Sequence, residues 1–216
     1  MTILKRDKSP KTASNRSKPA KPASGSRPSG PLLASQAVKS GSRRPPTASA
    51  TLRIRPLVAA DIAAAEALVL AVFEEASIDC HIERHFGGVP WAQIKGAAVR
   101  ALAQADVKDA IGGCFVAVSG GRIAGYVSTS INRVASRGTI CDLAVAADFQ
   151  GQGVGAKLIA RALRFFRKMK LHHAKIETLE TNLAGRHLYP KMGFVEMSRQ
   201  IHYAMPLRKS VTKLGR

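Results

Sequence analysis

The chain has 216 residues, 45% of them hydrophobic, which suffices for one packed domain of ordinary size plus an appendage. Three cysteines, odd in number and without CxxC spacing, exclude a disulfide framework and suit a reducing compartment. No apolar run approaches the roughly 20 residues of a membrane-spanning helix, and the formal net charge of +20 directs attention to where the basic residues lie.

Residues 1–50 hold eleven Lys/Arg against the single acid Asp7, seven of the eleven prolines, and no aromatic residue. Such a segment buries too little apolar surface to offset the entropy of ordering it, and is expected to be a disordered basic tail. Electrostatic association with an anionic partner (RNA, DNA or ribosome), an organelle transit segment, and a plain solvated extension are three readings of this composition. Lys5, Arg6, Lys8 and Lys11 lead into no apolar stretch of the secretory kind, so the expectation is a soluble, cytoplasmic protein without a membrane partner. A second basic tail, 208–216, follows the foldable part, 51–207, which is only mildly basic.

From Thr51 the pattern changes. Leu52 and Ile54 alternate with arginines in a short strand ending at Pro56, and 60–75 carries apolar residues at helical spacing. Residues 77–89 are less regular; a second helix is predicted over 90–105, with Trp91, Ile94, Ala98 and Leu102 on one side. Residues 114–118 and 123–131 read as a hairpin around Ser119-Gly120-Gly121-Arg122. A buried strand follows over 139–145, then a glycine-bearing turn and a helix over 153–170 whose inner face is Val154, Leu158, Leu163 and Phe166. A strand over 175–181, a short helix over 182–191 and strand-like material over 194–207 complete the domain. The fold class is α/β: one mixed central sheet of about six to seven strands with helices on its faces.

The turn reads Asp148-Phe149-Gln150-Gly151-Gln152-Gly153-Val154-Gly155-Ala156-Lys157. A strand entering a glycine-rich turn and then a helix presents main-chain N–H groups at the positive end of the helix dipole, with room for close approach. That suits phosphate or diphosphate. Lys157 in the first helical turn is unfavourable for the helix alone and easier to understand with an anion nearby. Glycines by themselves are also what a tight turn needs for packing.

The form Gln150-x-x-Gly153-x-Gly155, followed by Asn182-Leu-Ala-Gly-Arg-His-Leu-Tyr189-Pro-Lys-Met-Gly193-Phe194, closely resembles the GNAT superfamily of acetyl-coenzyme A-dependent N-acetyltransferases. The resemblance covers about 51–207; Pro190 stands where that family often carries an acid. It implies a diphosphate held by the main chain of Gln150, Gly151, Gln152, Gly153, Val154, Gly155 and Ala156 with Lys157 beside them. Leu143, Ala144 and Val145 would pair with the pantetheine arm and polarise the thioester carbonyl. Asn182 would bond the pantetheine region, and Tyr189 would protonate the departing thiolate.

Asp142, the one charge in the apolar run 140–147, is a candidate general base; alternatively it is the partner of a neighbouring arginine such as Arg137. Glu75 and Glu177 are weaker candidates for that role. Cys80, His81 and His85 have a spacing that invites a metal reading, but three ligands lack a fourth and the expectation is no metal. The expected function is transfer of an acetyl group from the cosubstrate acetyl-CoA to a primary amine by direct attack. A non-catalytic CoA-sensing or nucleic-acid-associated module is the alternative. A dinucleotide oxidoreductase, with Glu177 on the ribose, fits poorly because too little chain remains after the turn. Glu74, Glu75, Asp79 and Glu83 would favour a cationic acceptor.

Overall fold

The computed structural model describes residues 51–74, 77–109 and 111–207; both basic tails and Glu75 lie outside the described residues. Five strands form one mixed sheet in chain order: β1 (Arg53–Pro56), β2 (Phe115–Ser119), β3 (Arg122–Asn132), β4 (Arg137–Val145) and β5 (His173–Ile176). The first four are antiparallel neighbours, and β4 and β5 are parallel. The hairpin forms where expected, because Gly120 and Gly121 supply the two positive φ values, 57° and 77°, that a tight turn between twisted strands requires.

Helices α1 (Ile62–Phe73), α2 (Ile78–Phe86) and α3 (Trp91–Lys108) separate β1 from β2. Segment 77–89, irregular by periodicity, contains a nine-residue helix with one buried residue, Cys80. Too few apolar positions face inward for a periodic signal, and the helix ends at Gly87, whose φ is 71°. Before α1, Arg55 forms a two-pronged ion pair with Asp61, at 2.5 and 2.9 Å, while Asp61 also accepts from the Val58 N–H. The Arg55 guanidinium holds the Asp61 carboxyl below the usual carboxylate range and fixes how β1 enters the helical layer.

Two apolar clusters lie on opposite faces of the sheet. On one, Ala65 and Val69 of α1 and Val99 and Ala103 of α3 pack against Val116, Tyr126 and Ala144. On the other, α4 (Val154–Lys168) inserts Val154, Leu158, Ile159, Ala162, Phe165 and Phe166 over Phe115, Val127 and Ile140. Leu163, expected on the inner face, is only partly buried, and Ile159, Ala162 and Phe165 complete the stripe. Two glycines let α4 lie this close: a Cβ on Gly125 would stand 2.8 Å from Leu158, and one on Gly138 2.4 Å from Phe166.

Two expectations fail at the far edge. The strand expected over 175–181 is replaced by the shorter β5, which pairs with β4 only from Arg137↔His173 to Ile140↔Ile176. Residues 194–207, expected to close the sheet, form no strand, so the described residues give five strands rather than six or seven. Alternating hydrophobicity marks a segment as strand-competent without naming its partner. Among the described residues no helix is long and apolar enough to cross a membrane.

Cys80 and Cys114 are buried and Cys141 is exposed, and burial pushes the Cys114 thiol up to about 12. At pH 8 a thiol-reactive chromophore is expected to titrate Cys141 alone in the native protein, and all three thiols after denaturation. A second thiol reacting at the native rate would contradict this core.

Candidate active site

The site begins with a register change. In the β3–β4 ladder Ser128 faces Asp142 and Thr129 faces Ile140, so Cys141 is the extra residue of a β-bulge. One residue earlier, at Ile140↔Ile176, the β4–β5 pairing ends. Residues 141–145 therefore stay bonded to β3 on one side and have no strand neighbour on the other. Leu143 and Val145 turn toward the α4 layer and Ala144 toward the α1/α3 layer. The main chain of these three residues borders an open wedge between parted parallel strands.

At the end of β4 a short 3₁₀ turn, Ala147–Phe149, leads into the glycine segment. Arg122 pairs with Asp148 and lies over the Phe149 ring, 5.3 Å from its centroid, anchoring the turn to the β2–β3 hairpin. The Gln150 amide donates to the Val145 carbonyl at 3.1 Å and the Gln152 amide to the Asp148 carbonyl at 2.8 Å, so both glutamines brace the turn on itself. Gly151 and Gly153 adopt φ values of 73° and 76°, and a Cβ on either would meet nothing within 4 Å. They are glycine for backbone conformation, and the space beside them is open. Gly155 differs: a Cβ there would lie 3.2 Å from Leu188 and 3.7 Å from Val145, so its bareness lets α5 (Leu183–Lys191) approach α4. The first N–H groups of α4, at Val154, Gly155 and Ala156, have no carbonyl one turn earlier in the helix to bond, and the Lys157 side chain is exposed beside them.

Asn182 caps α5. Its Oδ1 accepts from the Gly185 N–H at 3.0 Å and its Nδ2 donates to Thr178 Oγ1 at 2.9 Å. Tyr189 is half-buried under the sheet edge, edge-to-face with Phe194 at 6.3 Å. Its hydroxyl lies 3.0 Å from where a Gly185 Cβ would stand, and Thr178 opposes part of the rise that burial gives its pKa. Thr178 lies just beyond β5, past the point where the strands part, so the phenol, Thr178 and Asn182 share the β5–α5 junction. Burial raises the Tyr189 pKa above its ordinary value and keeps the phenol protonated at neutral pH.

Asp142 is 5% exposed, and its partner is not Arg137. Lys95 of α3 reaches it, with Nζ 2.5 Å from Oδ1, and Ser128 Oγ donates to Oδ2 at 2.6 Å. The Lys95 ammonium also sits 4.6 Å from the centroid of Phe73. Lys95 and Ser128 were not among the sequence candidates. Lys95 lies beside the apolar stripe of α3 and meets Asp142 only through tertiary folding. Glu177 is exposed and paired with Lys175 at 2.7 Å. Glu74 binds Arg84 at 3.1 Å and Glu83 accepts from the Trp91 N–H at 2.6 Å, so both acids serve local structure. Cys80 is buried while His81 and His85 are exposed, and no group of three or more His, Cys, Asp or Glu among the described residues could hold a metal.

Residues 71–194 match the model of the acetyltransferase (GNAT) family. The chain is similar to N-alpha-acetyltransferase MAK3 of Arabidopsis thaliana, 27% identical over 92 residues, 42% of this chain and 48% of that protein. It is also similar to mycothiol acetyltransferase of Tsukamurella paurometabola, 33% identical over 85 residues, 39% of this chain and 29% of that protein. The chain thus spans about half, or less, of the length of these relatives. Among solved structures, the PaiA N-acetyltransferase of Thermoplasma acidophilum in complex with coenzyme A superposes with a TM-score of 0.53 at 14% identity, over 65% of this chain and 87% of that one. The aminoglycoside N-acetyltransferase AAC(6')-Iy in complex with CoA gives 0.52 at 19%, over 74% and 97%. At these identities the superpositions speak for the fold.

Removing one member of a buried ion pair strands the other charge. Lys95→Met is expected to lower the unfolding free energy by about 3 kcal/mol. Adding Asp142→Leu should recover much of that loss, as read from urea denaturation. An unchanged midpoint for Lys95→Met would contradict the pairing.

Proposed function

Because the chain belongs to the acetyltransferase (GNAT) family, we propose that it transfers the acetyl group of acetyl-coenzyme A to a primary amine by direct attack. The observation that carries this reading is the main chain of 143–145, past the last β4–β5 pair, leading into a turn where a Cβ on Gly151 or Gly153 would meet nothing within 4 Å. An elongated cosubstrate with a diphosphate at one end and an amide-bearing arm at the other meets both features in order. The N–H groups from Gly151 to Ala156 would hold the diphosphate, with Lys157 adding a cation at the rim. The outer edge of Leu143, Ala144 and Val145, where the Gln150 amide already bonds the Val145 carbonyl, would pair with the arm, and a main-chain N–H there would face the carbonyl oxygen as charge develops on it. The acetyl thioester itself is supplied by the cosubstrate.

Tyr189 is the proposed general acid. A protonated phenol at the β5–α5 junction can pass its proton to a thiolate leaving the wedge. Asn182, committed to capping α5 and to Thr178, acts chiefly by holding that junction in place. Asp142 is the proposed base, with a condition imposed by its partners. Both carboxylate oxygens are engaged, so it takes the acceptor's proton as the incoming amine displaces the Lys95 ammonium, one cation for another. The similarity to N-alpha-acetyltransferases supports a polypeptide α-amine as the acceptor. A cytoplasmic location and association of the basic N-terminal tail with an anionic partner complete the proposal.

The test is thiol release from acetyl-CoA with a panel of peptides, polyamines and aminoglycosides. Peptide α-amines are expected to turn over best. Tyr189→Phe is expected to lower kcat about 100-fold while acetyl-CoA affinity stays within twofold. Unchanged turnover in that variant would remove the assigned acid, and no turnover with any amine would remove the activity.

A further inference from the structure

A primary amine of the chain itself stands against the candidate base. Lys95 projects from α3 and places Nζ 2.5 Å from Asp142 Oδ1. Ser128 holds the other carboxylate oxygen at 2.6 Å, and the Phe73 ring lies against the ammonium, 4.6 Å away at its centroid. The Lys95 side chain is only 20% exposed, so its nitrogen is held at one place instead of sweeping through solvent. As a purely architectural tie, lysine is the weaker choice. Arginine offers a planar fork to a carboxylate, and this chain uses that fork elsewhere, from Arg55 to Asp61. A lysine differs from an arginine in being a primary amine, the acceptor class of the proposed reaction.

The position of that amine along the strand matters. Asp142 follows Cys141, the bulge residue just past the last β4–β5 pair, and precedes Leu143, the first residue assigned to the cosubstrate arm. An acceptor has to bring its nitrogen within hydrogen-bond reach of the base to lose a proton. The Lys95 nitrogen already meets that condition. An amine fixed beside both base and thioester reacts within one molecule, where positioning takes the place of collision.

We propose that Lys95 is a modification site: without an outside acceptor, the chain transfers the acetyl group of acetyl-CoA to the Lys95 nitrogen of the same molecule. This rests on the acetyl-transfer reading above, with Asp142 as its base. Asp142 takes a proton from the ammonium, the nitrogen lone pair forms a bond to the acetyl carbon, and the carbon–sulfur bond breaks with its electrons left on sulfur. Of the two protons the nitrogen loses, one passes through Asp142 to solvent. The other replaces the proton that Tyr189 gives to the departing thiolate. The product is a neutral amide, which no longer pairs with Asp142 as a cation. Acetylation thereby removes the resident charge that an incoming amine otherwise has to displace.

The test uses the full chain, first shown by mass to be unmodified at Lys95, and acetyl-CoA carrying a ¹³C-labelled acetyl group. After incubation without any acceptor, the chain is digested with trypsin and read by tandem mass spectrometry. Acetylation blocks cleavage at Lys95, so the label is expected in the peptide 85–100, in which Lys95 is the single lysine. Lys95 is expected to label about 10-fold faster than the exposed Lys168 and Lys170, at a rate independent of chain concentration. Excess coenzyme A is expected to slow labelling at Lys95 and to leave Lys168 and Lys170 unchanged. An unlabelled Lys95 in a chain that acetylates a peptide amine would overturn the inference and leave the proposed function standing. Labelling no faster than at Lys168, or at a rate that rises with chain concentration, would overturn it as well. A chain that labels neither Lys95 nor any added amine would overturn both.

Discussion

The structure depends on the parting of β4 from β5 after Ile140↔Ile176. A parallel pair that stayed zipped would satisfy the main chain of 141–145 internally and leave nothing to recognise a ligand. A pair that parted without support would let β4 leave the sheet. The chain resolves this by binding β4 to β3 along its whole length and placing the bulge at Cys141, where partner contact on the other side ends. Gly138 lets Phe166 sit directly against β4 at the last paired stretch, so the wedge opens from a packed point. Unpaired main chain is costly in a core and useful at a cleft, and here the cleft is where it is found.

The second constraint is electrostatic. A carboxylate 5% exposed on β4 would be costly without compensation, and Lys95 and Ser128 supply it on separate oxygens. The pair crosses from β4 to α3, so it ties the helical layer to the strand that carries the wedge. Phe73, at the end of α1, lies against the same ammonium. One buried charge thereby fixes the relation of two helices to the open strand. Asp142 consequently serves the architecture, tying α3 to the strand whose pairing with β5 ends beside it.

Much of this was legible in the sequence where local rules apply. Gly120-Gly121 encodes a hairpin and Gly151-x-Gly153 an open turn, because positive φ writes itself as glycine. The stripe of α4 follows helical periodicity from Val154 to Phe166. What stayed hidden depends on distant partners. Asp142 meets a lysine 47 positions earlier, so a search of its neighbours pointed to Arg137 instead. β5 is shorter than its strand-like sequence because β4 leaves it, a tertiary event. The alternation beyond Phe194 marks a strand-competent segment, but it carries no information about a partner, and no strand forms there. Helix α2, with Cys80 alone buried, is too short for a periodic pattern. The motif residues Gln150 and Asn182 proved to be braces for the turn and for α5, a structural duty their spacing does not reveal.

The claim beneath the whole account is that main-chain donors at the head of α4 grip a diphosphate. Amide proton shifts of ¹⁵N-labelled protein titrated with acetyl-coenzyme A test it directly. The account predicts that the largest downfield changes fall on Gly151, Gly153, Val154 and Gly155, while Gly120 and Gly121 in the hairpin stay still. Binding that moves other amides and leaves those four in place would contradict it.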